Sequence, residues 1–299
     1  MSYVLITPFK DEEKNLADLK ETVLNQTVKP LLWVMVDSNS LDNSFNLAKN
    51  LTENYEWIHV IKQDNLFEKG YGHINFAEAI NEGYEHAKNL CACNGIKYDY
   101  IGKLDAAVSL ENEYFEVLME EMENNDNLAF TCGIVHFILG DNTRIVAKPS
   151  SKSETFGAHD IRLYRKNFFE EMKGYPLNYS PDTILLIKAI NRKWDVKTLT
   201  STYYEKKRLG GVGGSKQGVW SSYKLKGKAM YCLGYDMIFL FLNSFYISIK
   251  FPPHYQGFAI IHGYILSIIN QDKKIDDKEI RDYFGKRISR ILKSTIRIS

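Results

Sequence analysis

Ile101-Gly102-Lys103-Leu104-Asp105-Ala106-Ala107-Val108 reads as the end of an apolar strand that stops in a single carboxylate. The strand begins near residue 98, and similar apolar runs lie at 3–6, 31–36, 57–61 and 128–137. Between them, residues 12–26, 42–53, 74–88 and 113–123 carry apolar side chains at helical spacing. Apolar strands separated by helices predict an α/β fold whose mostly parallel sheet is covered on both faces. Ligands of such sheets sit at the carboxyl ends of the strands. Asp37 and Asp105 both fall at such ends, so they are expected to face one crevice.

The bulk composition excludes several classes. A chain of 299 residues with 44% hydrophobic and 25% charged residues buries an ordinary globular core. Its 38 basic and 37 acidic residues leave a net charge of +1, so no nucleic-acid partner is expected and any phosphate recognition is local. Cys91, Cys93, Cys132 and Cys232 match neither a zinc-ribbon spacing nor a disulfide framework, and read as free thiols. The chain opens on an apolar strand, without a basic stretch and a cleavable apolar segment, so a cytoplasmic location is expected.

Beyond residue 140 the pattern loosens. Residues 141–157 read as a loop, 182–193 as a helix, 195–204 as a strand, and 209–218 as a loop with five glycines. Two domains are expected: a catalytic α/β domain at 1–215 and a helical C-terminal extension at 216–299. The extension holds apolar stretches at 230–249 and 258–269, then a basic tail. Asp236 and Asn243 interrupt the first stretch, and a charge within a span is costly, about 3 kcal/mol. Three readings stay open there: a buried helical layer or homodimer contact, a membrane-spanning helix, and a peripheral membrane contact through 229–270. Its tyrosines and phenylalanines with Lys224, Lys226, Lys228 and Lys250 suit the last.

Several motifs carry chemistry. Thr7-Pro8-Phe9-Lys10-Asp11-Glu12-Glu13 ends the first strand and places acids in the first turn of a helix, where its dipole favours them. Val36-Asp37-Ser38-Asn39-Ser40-Leu41-Asp42 is a capping loop with Asp42 as the expected N-cap. Glu68-Lys69-Gly70-Tyr71-Gly72-His73-Ile74-Asn75 sets glycines before a helix start, which suits an anion. Ser180-Pro181-Asp182 opens a helix with Asp182 as its expected N-cap. Tyr203-Tyr204-Glu205-Lys206-Lys207-Arg208 ends a strand in acid and base.

In this order, over residues 3–210, these motifs resemble those of the inverting family 2 glycosyltransferases, which have the GT-A fold. The resemblance implies a sugar moved from a nucleotide-diphosphate donor to a glycan or polyprenyl-phosphate acceptor by direct displacement. It puts Asp182 in the role of catalytic base, and Thr7, Pro8, Glu12, Asp37, Lys69, Asn75, Lys103, Asp105 and Arg208 around the donor. An Asp in the Asp37 role accepts a hydrogen bond from a base N–H, which suits uracil or guanine. Upstream of Asp182, Arg162 and Arg165 resemble the family's Tyr-Arg-Arg segment, with a structural or an acceptor-facing role.

The family's Asp-x-Asp motif binds Mg²⁺ or Mn²⁺ mainly through its second acid, and Ala107 stands there. Both ions prefer oxygen ligands, so the metal is expected to be weakened or absent, with Asp105 and Glu205 as the remaining ligands. Asp11, Ser38, Asn39 and Pro181 also depart from the family pattern. Three accounts of Ala107 stay open: a change that disables a conventional enzyme, a transfer that uses basic side chains instead of metal, and a non-catalytic nucleotide-sugar-binding relative. A nucleotidyltransferase is disfavoured because Asp11-Glu12-Glu13 follows the first strand where a basic glycine-rich loop is needed.

Overall fold

The computed structural model describes residues 1–64, 72–138, 144–146, 161–206, 218–250, 254–287 and 289. The chain forms two compact units, one of residues 1–177 and 181–209, the other of 178–180 and 210–299.

In the first unit the strands are β1 (Tyr3–Phe9), β2 (Leu32–Asp37), β3 (Ile58–Lys62), β4 (Tyr100–Leu104), β5 (Val108–Leu110), β6 (Leu128–Ile138), β7 (Arg144–Val146), β8 (Ile161–Arg165) and β9 (Asp195–Lys206). Its helices are α1 (Leu16–Leu24), α2 (Ser44–Thr52), α3 (Gly72–Cys93), α4 (Tyr114–Asn124), α5 (Lys166–Glu171) and α6 (Pro181–Asn191). The sheet order is β3-β2-β1-β4-β8-β6-β9-β5, with β7 paired to β6. Six of the nine strands run the same way, and β5, β7 and β8 oppose them. The expected mostly parallel α/β sheet is therefore present.

Every residue of β1 and β2 is buried, as continuous apolar strands covered on both faces must be. Alternate residues enter opposite cores. Tyr3, Leu5, Trp33 and Met35 pack with α1, α2 and α4, through side chains such as Leu19, Ala48 and Phe115. Val4, Ile6, Val34 and Val36 pack with α3, α5 and α6, through Ile80, Phe168 and Leu185 among others.

The structure corrects several expectations. Thr7-Pro8 does not end β1, which continues to Phe9. The Phe9 carbonyl accepts from Ser38 N on the β2 side, so Pro8 lacks its N–H on the β4 side. Pairing with β4 has already stopped there, at Ile6–Lys103, so no ladder bond is lost. Helix α1 starts at Leu16, leaving Asp11, Glu12 and Glu13 in the preceding loop rather than in its first turn. Asn43, not Asp42, is the N-cap residue of α2, although the Asp42 carboxylate accepts from the Ser44 N–H at 3.0 Å. Asp182 lies inside the first turn of α6, one residue past Pro181. Strands β5, β7 and β8 and helix α5 are additional, with β7 inside the segment read as loop.

Thr7, expected at the donor, is fully buried. Its hydroxyl accepts a hydrogen bond of 2.9 Å from Trp33 Nε1, itself fully buried, so the side chain serves the core.

The second unit is helical: α7 (Gly218–Cys232), α8 (Met237–Lys250), α9 (Gln256–Ile269) and α10 (Lys278–Gly285). Asp236 splits the apolar stretch at 230–249, its carboxylate accepting from the Phe239 N–H at 2.7 Å at the start of α8. No described helix is long and apolar enough to cross a membrane.

Thr7→Val leaves the indole N–H of Trp33 unsatisfied inside the core. Urea unfolding should show a loss of about 1–3 kcal/mol, and nucleotide-sugar binding by the folded variant should be unchanged.

Candidate active site

Lys103 on β4 and Arg162 on β8 are register partners on neighbouring antiparallel strands. Each is only 2% exposed. Two like charges opposite one another repel, and burial makes each expensive. The compensating charge comes from the first turn of α6. Asp182 Oδ1 lies 3.7 Å from Lys103 Nζ and 3.6 Å from Arg162 Nη1. Arg162 Nη1 also donates to the Asp182 carbonyl at 3.1 Å. Asp105, just past the end of β4, brings its Oδ1 to 3.4 Å from Lys103 Nζ. Two buried cations thus meet two carboxylates that are partly open to solvent, at side-chain exposures of 16% for Asp182 and 28% for Asp105.

Aromatic groups complete the setting. Lys103 Nζ sits over the Phe76 ring at 4.8 Å, and the Arg162 guanidinium over Phe130 at 4.6 Å. Tyr175 OH donates to Asp182 Oδ1 in a short hydrogen bond and accepts from Tyr164 OH at 3.3 Å. Burial, and then the Asp182 charge, raise the Tyr175 pKa well above the phenol range, so it keeps the proton it donates. Burial works against the Arg162 charge, but its surroundings, with the Asp182 carboxylate among them, outweigh burial and leave its pKa above the usual value.

Tyr175 is itself fixed. Asn81 on α3 receives the Tyr175 N–H at 2.7 Å and donates to the Tyr175 carbonyl at 2.9 Å. Gly174 permits this with φ +85 and no side chain, since a Cβ there would lie 2.6 Å from Asn81 Oδ1.

The structure therefore brings Lys103, Asp105 and Asp182 together with Arg162, one of the two arginines named from the sequence, and adds Tyr175. The sequence offered a signal for the addition in the Gly-Tyr-Pro turn before α6. Arg165 has a structural role, its Nε donating to the Leu128 carbonyl at 3.1 Å and Nη2 to the Asn125 carbonyl at 3.0 Å.

Asp37, expected at the base, also holds its own turn. It is 1% exposed, and its Oδ1 accepts from the Ser40 N–H at 3.0 Å and the Ser40 hydroxyl at 2.5 Å. That turn is woven into the loop after β1. Asp11 N donates to Ser40 Oγ at 3.0 Å, Glu12 N to Ser44 Oγ at 2.8 Å, and Leu41 N to Asp11 Oδ1 at 2.7 Å. Asp11 and Asn39 sit in the left-handed region, at φ 52 and 58. Asn75 on α3 offers its carbonyl to Gln63 Nε2 at 3.0 Å. Lys69 and Arg208 lie outside the described residues.

Glu205 on β9 pairs in register with Ser109 of β5. It lines a small surface pocket with Asn15, Asp18, Ala106 and Ala107. The described residues do not fit a divalent ion. Asp105 Oδ1 faces an ammonium, Ala107 contributes a methyl group, and no three described His, Cys, Asp or Glu residues are grouped to hold a metal.

The comparisons with known proteins follow the same lines. A family model described as glycosyl transferase family 2 matches residues 4–194. No curated protein matches the chain. Among solved structures, S. aureus TarS 1-349 in complex with UDP-GlcNAc superposes at TM-score 0.56 with 14% identity, covering 88% of this chain and 79% of that one. Mannosyltransferase PcManGT from Pyrobaculum calidifontis, in complex with GDP-Man and Mn2+, superposes at 0.55 with 11% identity, covering 99% and 79%. At these identities the likeness is one of fold.

Asp182→Asn removes the charge that offsets Lys103 and Arg162. Denaturant unfolding should show a loss of about 3 kcal/mol. Adding Arg162→Met should restore part of it, because one surplus cation goes with it. Additive losses in the double variant would contradict the charge balance.

Proposed function

The chain belongs to glycosyl transferase family 2 and has the GT-A fold, and from this we propose that it moves a sugar from a UDP- or GDP-sugar to a hydroxyl acceptor with inversion. The observation that carries the reading is the carboxylate of Asp182, held at the carboxyl end of β4 by Lys103, Arg162 and Tyr175.

The reaction is one displacement at the anomeric carbon. The acceptor oxygen forms the new bond as the bond to the departing diphosphate breaks. Asp182 takes the acceptor proton, and its remaining contacts keep it aimed. Tyr175 supplies a hydrogen bond to Asp182 and stays protonated throughout, while Asn81 acts at one remove as a positioning residue. Residues 1–215 carry this chemistry, with a glycan or a polyprenyl phosphate as acceptor.

The leaving diphosphate needs positive charge. PcManGT was captured with Mn2+, but the described donor set here does not suit that ion. Cationic side chains take the role, with Lys103 as the described candidate. Asp105 holds the Lys103 ammonium at the strand end through an ion pair of 3.4 Å. Ala107 supports a second reading, in which the chain binds nucleotide sugars without transferring them.

Release of nucleotide from UDP- and GDP-sugars, with water or glycan as acceptor, distinguishes the readings. Turnover should occur without Mn²⁺ and should fall about 100-fold or more in Asp182→Asn. Binding without turnover would favour the non-catalytic reading. Turnover that appears only in Ala107→Asp with Mn²⁺ would mean that alanine disables a metal-dependent enzyme.

A further inference from the structure

Helix α8 presents an apolar face to solvent, and α9 presents one interrupted by the exposed His262. Ile238, Phe245, Phe258 and Ile269 are 67–69% exposed, and Phe241 and Ile265 lie between them at 49% and 43%. On α8 the exposed apolar positions fall at 237, 238, 241, 242, 245, 246 and 249, which is one side of a helix. Their opposite sides form the small core of Leu240, Ile247, Ile260 and Tyr264. A face of this size on both helices marks an interaction surface.

We propose that this face lies in the headgroup layer of an anionic lipid bilayer, with α8 and α9 parallel to its plane. Four observations select lipid. First, residues 237–269 contain no Asp or Glu, and α9 carries no Lys or Arg, its one basic side chain being His262. Second, exposed cations border the pair: Lys250 ends α8, and Lys273 and Lys274 follow α9. The nearest acids are engaged within the unit, Asp236 at the start of α8 and Asp272 in an ion pair of 3.4 Å with Lys228. The outward charge is therefore complementary to anionic headgroups.

Third, the helices pack as helices in apolar surroundings do, through small residues. Ala259, Gly263 and Ser267 recur every fourth residue of α9, and all are buried. A Cβ on Gly263 would lie 1.9 Å from the Lys224 carbonyl oxygen, and one on Gly257 2.1 Å from that of Ser244. Fourth, each helix has 14 residues, about 21 Å in length, too short for a hydrocarbon core of about 30 Å. The amphipathic rings of Trp220 and Tyr255, in contact at 5.9 Å and both more than 40% exposed, suit the water interface.

Flotation of the full-length chain with vesicles tests this. It should float with phosphatidylcholine vesicles containing phosphatidylglycerol, more weakly with phosphatidylcholine alone. Phe245→Glu with Phe258→Glu should lower vesicle binding by at least about tenfold, with an unchanged urea midpoint because both side chains are exposed. Phe245→Leu should retain binding. In Phe245→Trp, brominated acyl chains should quench the new fluorophore. No binding to either vesicle would overturn the proposal. So would a homodimer by light scattering that Phe245→Glu splits while vesicle binding stays unaltered. None of these results depends on the transfer reaction.

Discussion

Two cations buried side by side on adjacent strands set the terms for the rest of the catalytic unit. Lys103 and Arg162 face each other across β4 and β8, where neither can be hydrated. A sheet tolerates that only with an anion at hand, because each unpaired buried charge costs several kcal/mol. Asp182 answers the requirement, which fixes where α6 must begin. Pro181 opens that helix with a backbone already suited to its first turn. Tyr175 and the left-handed Gly174 then follow, with Asn81 clamping the turn from α3. Apolar replacements would give a more stable sheet by this reasoning. The retained charges make sense as chemistry.

The same arrangement changes the meaning of Ala107. With a second carboxylate, the end of β4 would offer a cation two acids. With alanine there, the remaining acid faces Lys103, and Glu205 lines a small pocket with Ala106 and Ala107. The cations of this site, Lys103 and Arg162, stand on adjacent strands and are each paired with a carboxylate.

Much of the fold was legible because its signals are local. The all-buried runs of β1 and β2 and the apolar spacing of α1, α3 and α4 survive translation into structure with shifted ends. Strand β5 has three residues, and β8 is half polar by composition; both are stabilised by partners far along the chain, which no local pattern reports. The site divides in the same way. Lys103, Asp105 and Asp182 were recognisable by type and order. Thr7 and Asp37 also matched a motif, and their local contacts, one with Trp33 and the other within its own turn, were not legible from it. Arg162 and Tyr175 acquired their roles only through cross-strand register and the placement of α6. In the C-terminal unit, composition allowed burial, spanning or surface contact; no described helix is long and apolar enough to span, and the exposed apolar positions are visible only once the helices are packed.

The central claim is that buried side chains, with Lys103 foremost, supply the positive charge that a nucleotide diphosphate requires. Calorimetric titration of UDP- and GDP-sugars into the chain and into Lys103→Met, with and without Mn²⁺, measures this directly. Binding should be indifferent to Mn²⁺ and at least about tenfold weaker in a folded Lys103→Met variant, the loss expected for a charge-assisted contact. Binding that requires Mn²⁺ and is unchanged by the loss of Lys103 would contradict it.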